Sequence, residues 1–310
     1  MPNKTDNAIF PAVSGILCIN KPSGFTSHDV VNKLRRLYNT KKVGHTGTLD
    51  PMATGVLIVL IGGAVKASEY LMSQKKSYVA GLRLGMTSDT EDIGGTILTR
   101  CSDLPKKEEV FAACESFVGD IMQIPPMYSA LKVGGKKLVD IARSGETIER
   151  EPRPISVFSL GCECVSEENG DYILSVECSK GTYIRTLCAD IGAKLGCGGL
   201  MSSLERRENC GFSLDESHTL EEIEALPTEA RAGLLIPIER AFSDYKRLDL
   251  IAFYAGLARN GVRLLTSKVA PEARLGDRLA LYESGRFFAI AEISQNTDGE
   301  LILRVMKQFV

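Results

Sequence analysis

The hydrophobic positions change their period along the chain, and each period predicts a different kind of element. Residues 15–20 predict a short buried strand, and residues 56–61 are a continuous apolar run, which predicts a second buried strand. Residues 76–84 and 171–179 alternate between apolar and polar positions, which predicts strands whose two faces differ.

Three other segments have the pattern of helices. Thr26 and Asp29 fit a capping box, so a helix is expected to begin there. Residues 105–117 are also helical in pattern, as are residues 182–195, for which Gly196 is a typical stop.

These patterns divide the chain into parts. Residues 1–13 are expected to form a loose tail. Residues 14–245 mix predicted strands and helices, with a polar, basic and glycine-containing arm at 124–153. From residue 246 onward, short β-like runs are separated by turn sequences, which predicts a small β-rich domain over 246–310. The runs are residues 278–282, 287–293 and 301–305.

Composition narrows the class of protein. With 310 residues, 44% of them hydrophobic and 25% charged, the chain matches a globular protein of about two domains. It holds no apolar run of the roughly 18 residues that a membrane span needs, and its N-terminus is a poor secretory signal. The nine cysteines are scattered and include no C-x-x-C, so we expect free thiols in a reducing cytoplasm and no zinc site.

Charge is balanced overall but uneven along the chain. The net charge is −2, yet residues 30–49 contain several lysines and arginines and no acid. A local basic face of this kind suits the phosphates of RNA. The alternative is a solvated helix face without a partner, and on charge alone that is the better interpretation.

The loop at residues 44–55 is the first candidate for chemistry. It is neither a P-loop nor a dinucleotide-binding fingerprint, and its ionisable nucleophile is Asp50, directly before Pro51. The proline biases Asp50 away from helical backbone, and a carboxylate on such a loop can act as a nucleophile or a base. The alternative is an ordinary Asp-Pro turn.

Two further residues stand out. Arg185 falls in the first turn of the helix predicted over 182–195, where it can hold a carboxylate through two charge-assisted hydrogen bonds. The alternative is an exposed surface arginine. Tyr78 lies on the alternating strand 76–84, where a core position is the commoner role.

Taken together, these segments resemble a known family. The loop 44–55 closely resembles the catalytic motif of the TruB-type tRNA pseudouridine-55 synthases, and the resemblance extends over nearly the whole chain. Further segments resemble family motifs in the right order: residues 20–24, 76–78, 84–95, 123–132 and 181–187, then Leu204 with Phe212.

The resemblance implies a fold and a reaction. The fold is α/β (α+β), with a mixed, mostly antiparallel central sheet in the catalytic domain and a small PUA-like domain at the C-terminus. The reaction isomerises the T-loop uridine of tRNA, uridine-55, to pseudouridine without a cofactor or a metal. The implied protein is a cytoplasmic monomer that binds the T-arm of tRNA, reaches the acceptor stem through its C-terminal domain, and does not bind membranes.

Catalytic roles follow from the same resemblance. Asp50 would be the nucleophile, adding either to the base or to the sugar carbon, and Arg185 would keep it ionised and aimed. Tyr78 would stack on the uracil and help to remove the proton from carbon 5, although an ordinary phenol pKa of about 10 demands assistance.

The resemblance also implies residues that bind the RNA, because the target base must flip out of the folded loop. His45 would fill the gap that the base leaves. Tyr183 and Leu204 would line the pocket, and Lys21 would support its wall. The phosphates would meet a set of basic residues: Lys33, Arg36, Lys41, Lys42 and Lys132.

Several positions depart from the family pattern. They are Gly134 and Val139 in the arm, and Glu205, Arg207 and Cys210 after Leu204. Cys210 stands where the family has a glycine, so the turn before Phe212 could be altered.

Other functions remain open from the sequence. An RNA-binding or RNA-folding protein could use this scaffold without chemistry, although it would not require Asp50, Tyr78 and Arg185 together, and a chaperone role could accompany catalysis. A metabolic hydrolase could use Asp50, but it leaves the basic stretch unexplained. A relative that works with a guide RNA is less favoured, because the fit is continuous and the C-terminal domain is short.

Overall fold

The computed structural model describes residues 13–72 and 75–309 of the chain. The strands, in chain order, are β1 Gly15–Lys21, β2 Val43–His45, β3 Thr54–Ile61, β4 Lys76–Leu84, β5 Met86–Ser88, β6 Ile97–Arg100, β7 Gly119–Gln123, β8 Lys132–Val133, β9 Lys136–Lys137, β10 Arg153–Ser166, β11 Asp171–Cys178, β12 Gly199–Asn209, β13 Phe212–Ser213, β14 Lys246–Asp249, β15 Leu264–Leu265, β16 Arg278–Glu283, β17 Arg286–Gln295 and β18 Leu301–Gln308. The predicted tail lies outside the described residues, except for residue 13.

The α-helices contain between four and eleven residues. They are α1 Ser27–Leu37, α2 Ser68–Leu71, α3 Lys107–Glu115, α4 Leu138–Arg143, α5 Ile184–Lys194, α6 Leu220–Ala225, α7 Thr228–Arg231, α8 Ala252–Arg259 and α9 Thr266–Val269. Within the two described ranges, none of them is long and apolar enough to cross a membrane.

A nine-stranded sheet forms the larger part of the molecule. Its order is β1-β3-β12-β4-β11-β10-β7, with β2 added beside β3 and β13 beside β12. Its strand pairs are antiparallel except for β3 with β12, which is parallel. The prediction of a mixed, mostly antiparallel central sheet is confirmed.

Strand β3 is apolar along its length because both of its faces are covered. Leu57 and Val59 enter a core that also contains side chains of α1, α3 and α5. Ile58 and Leu60 enter a second core on the opposite face, which contains Phe242. The continuous apolar run at 56–61 therefore predicted its environment correctly.

Strand β4 shows the expected alternation. Tyr78, Ala80 and Leu82 are buried in the first core, whereas Val79 and Arg83 are half-buried on the other face. This strand lies between β12 and β11, in the middle of the sheet.

The C-terminal part forms its own five-stranded sheet, in the order β14-β16-β17-β18-β15. The three β-like runs predicted there correspond to β16, β17 and β18. Aromatic packing joins this sheet to the larger part, since Phe242 stacks on Phe287 at 5.9 Å and lies 5.3 Å from Phe309. The β-rich C-terminal part is confirmed, whereas its PUA-like character and the boundary after residue 245 stay predictions.

The local predictions succeeded best where a pattern was strong. The Thr26 hydroxyl accepts from the Asp29 amide at 3.1 Å, and the Asp29 carboxylate accepts from the Thr26 amide at 2.9 Å, so the capping box is confirmed. The sequence analysis did not identify β10 or β12, which are among the longest strands. The arm at 124–153 contains the hairpin of β8 and β9 and helix α4.

Candidate active site

Asp50 lies on the loop between β2 and β3, and helix α1 anchors this loop. The Ser27 hydroxyl donates to the Leu49 carbonyl at 3.2 Å and accepts from the Leu49 amide at 2.9 Å. On the other side, the Ala53 amide donates to the Asp50 carbonyl at 3.1 Å. The backbone is therefore fixed on both sides of the carboxylate.

Arg185 projects from the first turn of α5 to Asp50. Its Nε lies 2.9 Å from Asp50 Oδ2, and its Nη2 lies 3.4 Å from Oδ1. A planar guanidinium that meets both carboxylate oxygens fixes their orientation as well as their charge. Arg185 is only 5% exposed, so the alternative of a surface arginine is wrong.

Further acceptors hold the Arg185 guanidinium in place. Its Nη1 lies 3.7 Å from Asp92 Oδ2 and donates to the Thr90 carbonyl at 3.2 Å. Its Nη2 donates to the Tyr128 carbonyl at 2.9 Å. Because these acceptors come from the turn after β5 and from the arm, Arg185 joins segments that are remote in the sequence.

The environment of Asp50 favours a reactive carboxylate. Burial raises the pKa of the Asp50 carboxyl above its ordinary range, Arg185 opposes this shift, and the Asp92 charge adds to it. The side chain still keeps 31% of its surface exposed. Asp50 is therefore aimed by one guanidinium while it remains open to a ligand.

A cleft of ≈ 820 Å³ opens beside this pair, a size in the usual range for ligand sites. Asp50, Arg185, Tyr78, Tyr183 and Leu204 all line it, so the structure brings together five of the predicted site residues. Other lining residues include Thr46, Gly47, Lys76, Gln123, Ser129, Lys180 and Arg206.

Tyr78 belongs to both the core and the cleft. It is 7% exposed and packs in the first core, yet it also lines the cavity. Burial raises the pKa of the Tyr78 phenol, and Arg206 opposes that shift. Tyr78 is therefore both a core residue and a residue of the candidate site.

The backbone of Tyr183 is clamped from the end of β7. Gln123 accepts from the Tyr183 amide at 2.8 Å through Oε1 and donates to the Tyr183 carbonyl at 3.0 Å through Nε2. Gln123 is 2% exposed, and the sequence analysis assigned it no individual role.

Lys21 lies behind the cleft wall rather than in it. Its side chain is fully buried, and Nζ donates to the carbonyls of Pro22 (2.8 Å), Phe25 (2.7 Å) and Pro51 (3.3 Å). Burial lowers the pKa of Lys21 to about 8. Since Pro51 follows Asp50 directly, this position agrees with a supporting role.

His45 lies at the end of β2 and is half-buried. Its Nδ1 accepts from the Gly47 amide at 3.3 Å, and burial lowers the pKa of the imidazole. His45 is not among the residues that line the cleft around Asp50. Its proposed insertion into the RNA stays a prediction.

The predicted basic residues differ in their surroundings. Lys33 Nζ lies 2.7 Å from a Glu224 carboxylate oxygen contributed by α6, a contact that the sequence could not indicate. The other members of the predicted set are exposed: Arg36, Lys41, Lys42 and Lys132. Part of the Lys33 charge is thus already compensated.

The turn after β12 keeps a geometry that favours glycine. Cys210 has φ +59°, in the left-handed region, and Gly211 follows with φ +72°. Cys210 is buried, and its thiol donates to the Leu71 carbonyl at 3.0 Å. Cys210 therefore adopts a backbone conformation that glycine adopts more readily, and the contact with Leu71 holds its side chain.

Arg206 and Asp92 are the principal residues to which the sequence analysis gave no role. Arg206 is 1% exposed, and its guanidinium donates to the carbonyls of Val56 (2.7 Å) and Gly47 (3.1 Å). An alternating strand over 199–209 would have placed it on the same face as Leu204. Among the described residues, no group of three or more His, Cys, Asp or Glu side chains is arranged to hold a metal ion.

The chain is similar to known proteins over most of its length. The model of the TruB family pseudouridylate synthase (N terminal domain) matches residues 35–184, and that of the tRNA pseudouridylate synthase B C-terminal domain matches residues 185–243. A tRNA pseudouridine synthase B of Clostridium tetani is 41% identical over 283 residues, covering 90% of this chain and 96% of the relative. The chain belongs to the TruB family.

Other relatives support this membership. A tRNA pseudouridine synthase B of Alkaliphilus oremlandii is 40% identical over 297 residues, covering 95% of this chain and 98% of the relative. A chain in the crystal structure of a Cbf5-Nop10-Gar1 complex has a TM-score of 0.72 at 24% identity, covering 96% of this chain and 85% of that chain. That likeness concerns the fold alone. The TruB resemblance drawn from the motifs is confirmed.

Proposed function

We propose that this chain is an isomerase that converts uridine-55 in the T-loop of tRNA to pseudouridine. The bond between N1 of uracil and C1′ of ribose breaks, the base turns, and C5 bonds to C1′. The proton on C5 leaves and N1 takes up a proton, so the atoms balance without an oxidant or a reductant.

The observation that carries this proposal is the buried pair of Asp50 and Arg185 at the wall of the cleft. The carboxylate has the geometry of an aimed nucleophile, 2.9 Å from the guanidinium and open to the cavity. It could add to the base or trap C1′ of the sugar, and the proposal holds for either route.

Tyr78 and its neighbours receive the flipped base. Tyr78 lies on the cleft wall where it can stack on the uracil and accept the C5 proton. Tyr183 and Leu204 enclose the same cavity. Lys21 holds the backbone next to Asp50, and His45 takes the place of the base in the RNA.

Exposed basic residues bind the RNA backbone. Arg36, Lys41 and Lys42 lie on α1 and on the loop before β2, and Lys132 lies in the arm. These contacts with phosphates give affinity without base identity. Lys33 contributes less, because Glu224 already compensates its charge.

The domain division proposed here has a catalytic domain at 14–245, an RNA-gripping arm at 124–153 and a PUA-like domain at 246–310. The last of these contacts the acceptor stem, and the protein acts as a cytoplasmic monomer.

Charge reversal at Arg263 and Lys268, which are exposed on the C-terminal part, should raise KM for whole tRNA several-fold. It should leave KM for an isolated T-arm hairpin unchanged, and an equal effect on both substrates would contradict the acceptor-stem contact.

The central experiment compares Asp50→Asn with the wild type on tRNA that lacks the modification. Turnover should disappear, while tRNA affinity stays within about tenfold, because binding rests on phosphates and stacking. Asp103→Asn is the matched control, since Asp103 is exposed outside the cleft. Pseudouridine formation at the normal rate by Asp50→Asn would refute the assignment, and a wild type that binds tRNA without modifying it would favour an RNA-binding or chaperone function.

A further inference from the structure

Arg206 carries a buried charge that no acid compensates. It is 1% exposed and has the largest side chain among the fully buried residues. Over residues 13–72 and 75–309, no ion pair includes it. Burial of a cation without a countercharge is costly, so a charge in this place calls for a role.

The sheet places Arg206 directly beside Tyr78. On β12, Arg206 pairs with Tyr78 of β4 on one side and with Gly55 of β3 on the other. Opposite residues of adjacent strands have side chains on the same face. Gly55 has φ +95°, and a Cβ there would lie 2.3 Å from the Arg206 carbonyl oxygen, so the close approach of the strands depends on this glycine.

Two backbone carbonyls fix the guanidinium. Nε donates to Val56 at 2.7 Å and Nη2 donates to Gly47 at 3.1 Å. Gly47 belongs to the same loop as Asp50, and both Gly47 and Arg206 line the cleft. The head group is therefore anchored between β3 and the catalytic loop, with its charge beside the phenol of Tyr78.

The groups around the phenol act in opposite directions. Burial raises the pKa of Tyr78, and the charges of Cys178 and Asp50 add to that effect. Arg206 lowers the pKa through its positive charge and through a hydrogen-bonding interaction with the Tyr78 side chain. Arg206 is the cation that acts most strongly on this phenol.

We propose that Arg206 is a positioning residue that orients Tyr78 and stabilises negative charge on its oxygen, so that Tyr78 can take the C5 proton of the uracil. The inference rests on the proposed function. The phenol first gives its proton to solvent, the phenolate then accepts the C5 proton, and N1 of the base is protonated from solvent. Arg206 keeps its own protons throughout and does not touch the substrate.

The first test measures the Tyr78 phenol in the full-length protein without RNA. Tyrosine labelled with ¹³C at Cζ reports ionisation by NMR, and Tyr78→Phe assigns the signal. Arg206→Gln should raise the Tyr78 pKa by at least about one pH unit, which lowers the phenolate fraction tenfold. Arg206→Lys should retain most of the wild-type value because it keeps the charge.

The neighbouring arginine supplies a matched control. Arg207 lies on the opposite face of β12, is exposed, and pairs with Glu205 at 2.6 Å. Arg207→Gln should leave the Tyr78 signal unchanged. An unchanged Tyr78 pKa in folded Arg206→Gln would overturn the proposal.

The second test follows kcat against pH on tRNA. Arg206→Gln should lower kcat at least tenfold at neutral pH with little change in KM, and part of the activity should return as pH rises. A loss that is equal at every pH would show a structural role only and overturn the proposal. If Arg206→Gln does not fold, Arg206→Lys tests the proposal in its place. A Tyr78 pKa that rises by one pH unit in Arg206→Lys, although the cation is retained, would overturn the proposal.

The two levels of inference fail separately. If the wild type forms no pseudouridine in tRNA, the proposed function is wrong, whatever the NMR titration shows. If the wild type is active and fluorotyrosine at position 78 shifts the kcat profile while Arg206→Gln does not, Tyr78 is the base and Arg206 is not its partner.

Discussion

Two buried arginines line the cleft, Arg185 at what we call the Arg185 wall and Arg206 at what we call the Arg206 wall, and they differ in their partners. Arg185 is 5% exposed and lies near two carboxylates, Asp50 at 2.9 Å and Asp92 at 3.7 Å. Arg206 is 1% exposed and its hydrogen bonds to the backbone go to the neutral carbonyls of Val56 and Gly47.

This difference separates the electrostatics of the two walls. At the Arg185 wall the guanidinium lies near the carboxylates of Asp50 and Asp92, and it orients Asp50, whose pKa the Lys21 charge also lowers. The Arg206 wall carries an uncompensated cation, which favours any neighbouring group that becomes anionic. The Arg185 wall therefore suits a carboxylate nucleophile. The Arg206 wall suits a group that must be deprotonated before it can act as a base.

The largest effect should come from removal of the paired guanidinium. Arg185→Gln removes the guanidinium that Asp50 and Asp92 share, so the Asp50 pKa should rise further and its aim should be lost. We expect kcat at saturating tRNA to fall at least a thousandfold. The free energy of unfolding should fall by about 2–3 kcal/mol, since the pair is partly open to solvent.

A second ion pair provides the control for this variant. Arg83, near the end of β4, contacts both carboxylate oxygens of Asp171, at the start of β11. This ion pair lies outside the cleft. Arg83→Gln should leave kcat unchanged. If Arg185→Gln reduced tRNA affinity alone, Arg185 would be an RNA contact and the comparison of the two walls would fail.

Lys21 extends the comparison to a third buried cation. The folded state lowers its pKa from 10.5 to about 8, so between these values the unfolded chain binds the extra proton. The free energy of unfolding should therefore rise with pH across this window, by up to about 3 kcal/mol, and the penalty is present in full below pH 8.

Urea unfolding of the full chain between pH 7 and 10.5 measures this effect. The wild type should gain stability relative to Lys21→Met as pH rises, because the variant has no proton to lose at this position. Lys107→Met, at an exposed lysine, should run parallel to the wild type. If the free energy of unfolding of Lys21→Met changed with pH in parallel with that of the wild type, the three carbonyl acceptors of Lys21 would hold its ammonium at an ordinary pKa.

The sequence predicted the Arg185 wall far better than the Arg206 wall. Asp50 lies in a loop of small and turn-forming residues, and Arg185 lies in the first turn of an amphipathic helix, so each had a local signal. Arg206 stands in the run Glu205-Arg206-Arg207-Glu208, where hydropathy offers no contrast between buried and exposed positions. Only the register of β12 against Tyr78 and Gly55 distinguishes it.

The strand β10 and the contact of Lys33 were not predicted from the sequence, for the same physical reason. Strand β3 is buried on both faces and reads as continuously apolar, and β4 alternates, so both were predicted. Strand β10 is half-exposed along much of its length and mixes small, polar and apolar residues. From the sequence, Lys33 likewise looked like a lysine available for RNA. Its partner Glu224 lies nearly two hundred residues away, so no local pattern predicts their contact.

A smaller effect should follow from the second carboxylate of the Arg185 wall. Asp92→Asn removes a charge that raises the Asp50 pKa, so the acid limb of the kcat profile should move to lower pH. The kcat plateau should fall about tenfold to a hundredfold, because Arg185 keeps Asp50 but loses a second anchor. Asp171→Asn, which breaks the pair outside the cleft, should change neither quantity. A limb that moves to higher pH would mean that Asp92 acts on Asp50 chiefly by positioning Arg185.

The smallest effect contrasts paired and unpaired cations on the RNA-binding surface. Arg36→Glu with Lys41→Glu reverses two exposed positive charges and so removes two phosphate contacts. The slope of log affinity against log salt should therefore flatten by about 1.5, while kcat at saturating tRNA stays nearly unchanged. Lys33→Gln should flatten the slope much less, because Glu224 already lies 2.7 Å from that ammonium. Filter binding of tRNA at several salt concentrations measures all three proteins. An equal change for Lys33→Gln would show that RNA displaces Glu224, and an unchanged slope for the double variant would place the RNA on another face.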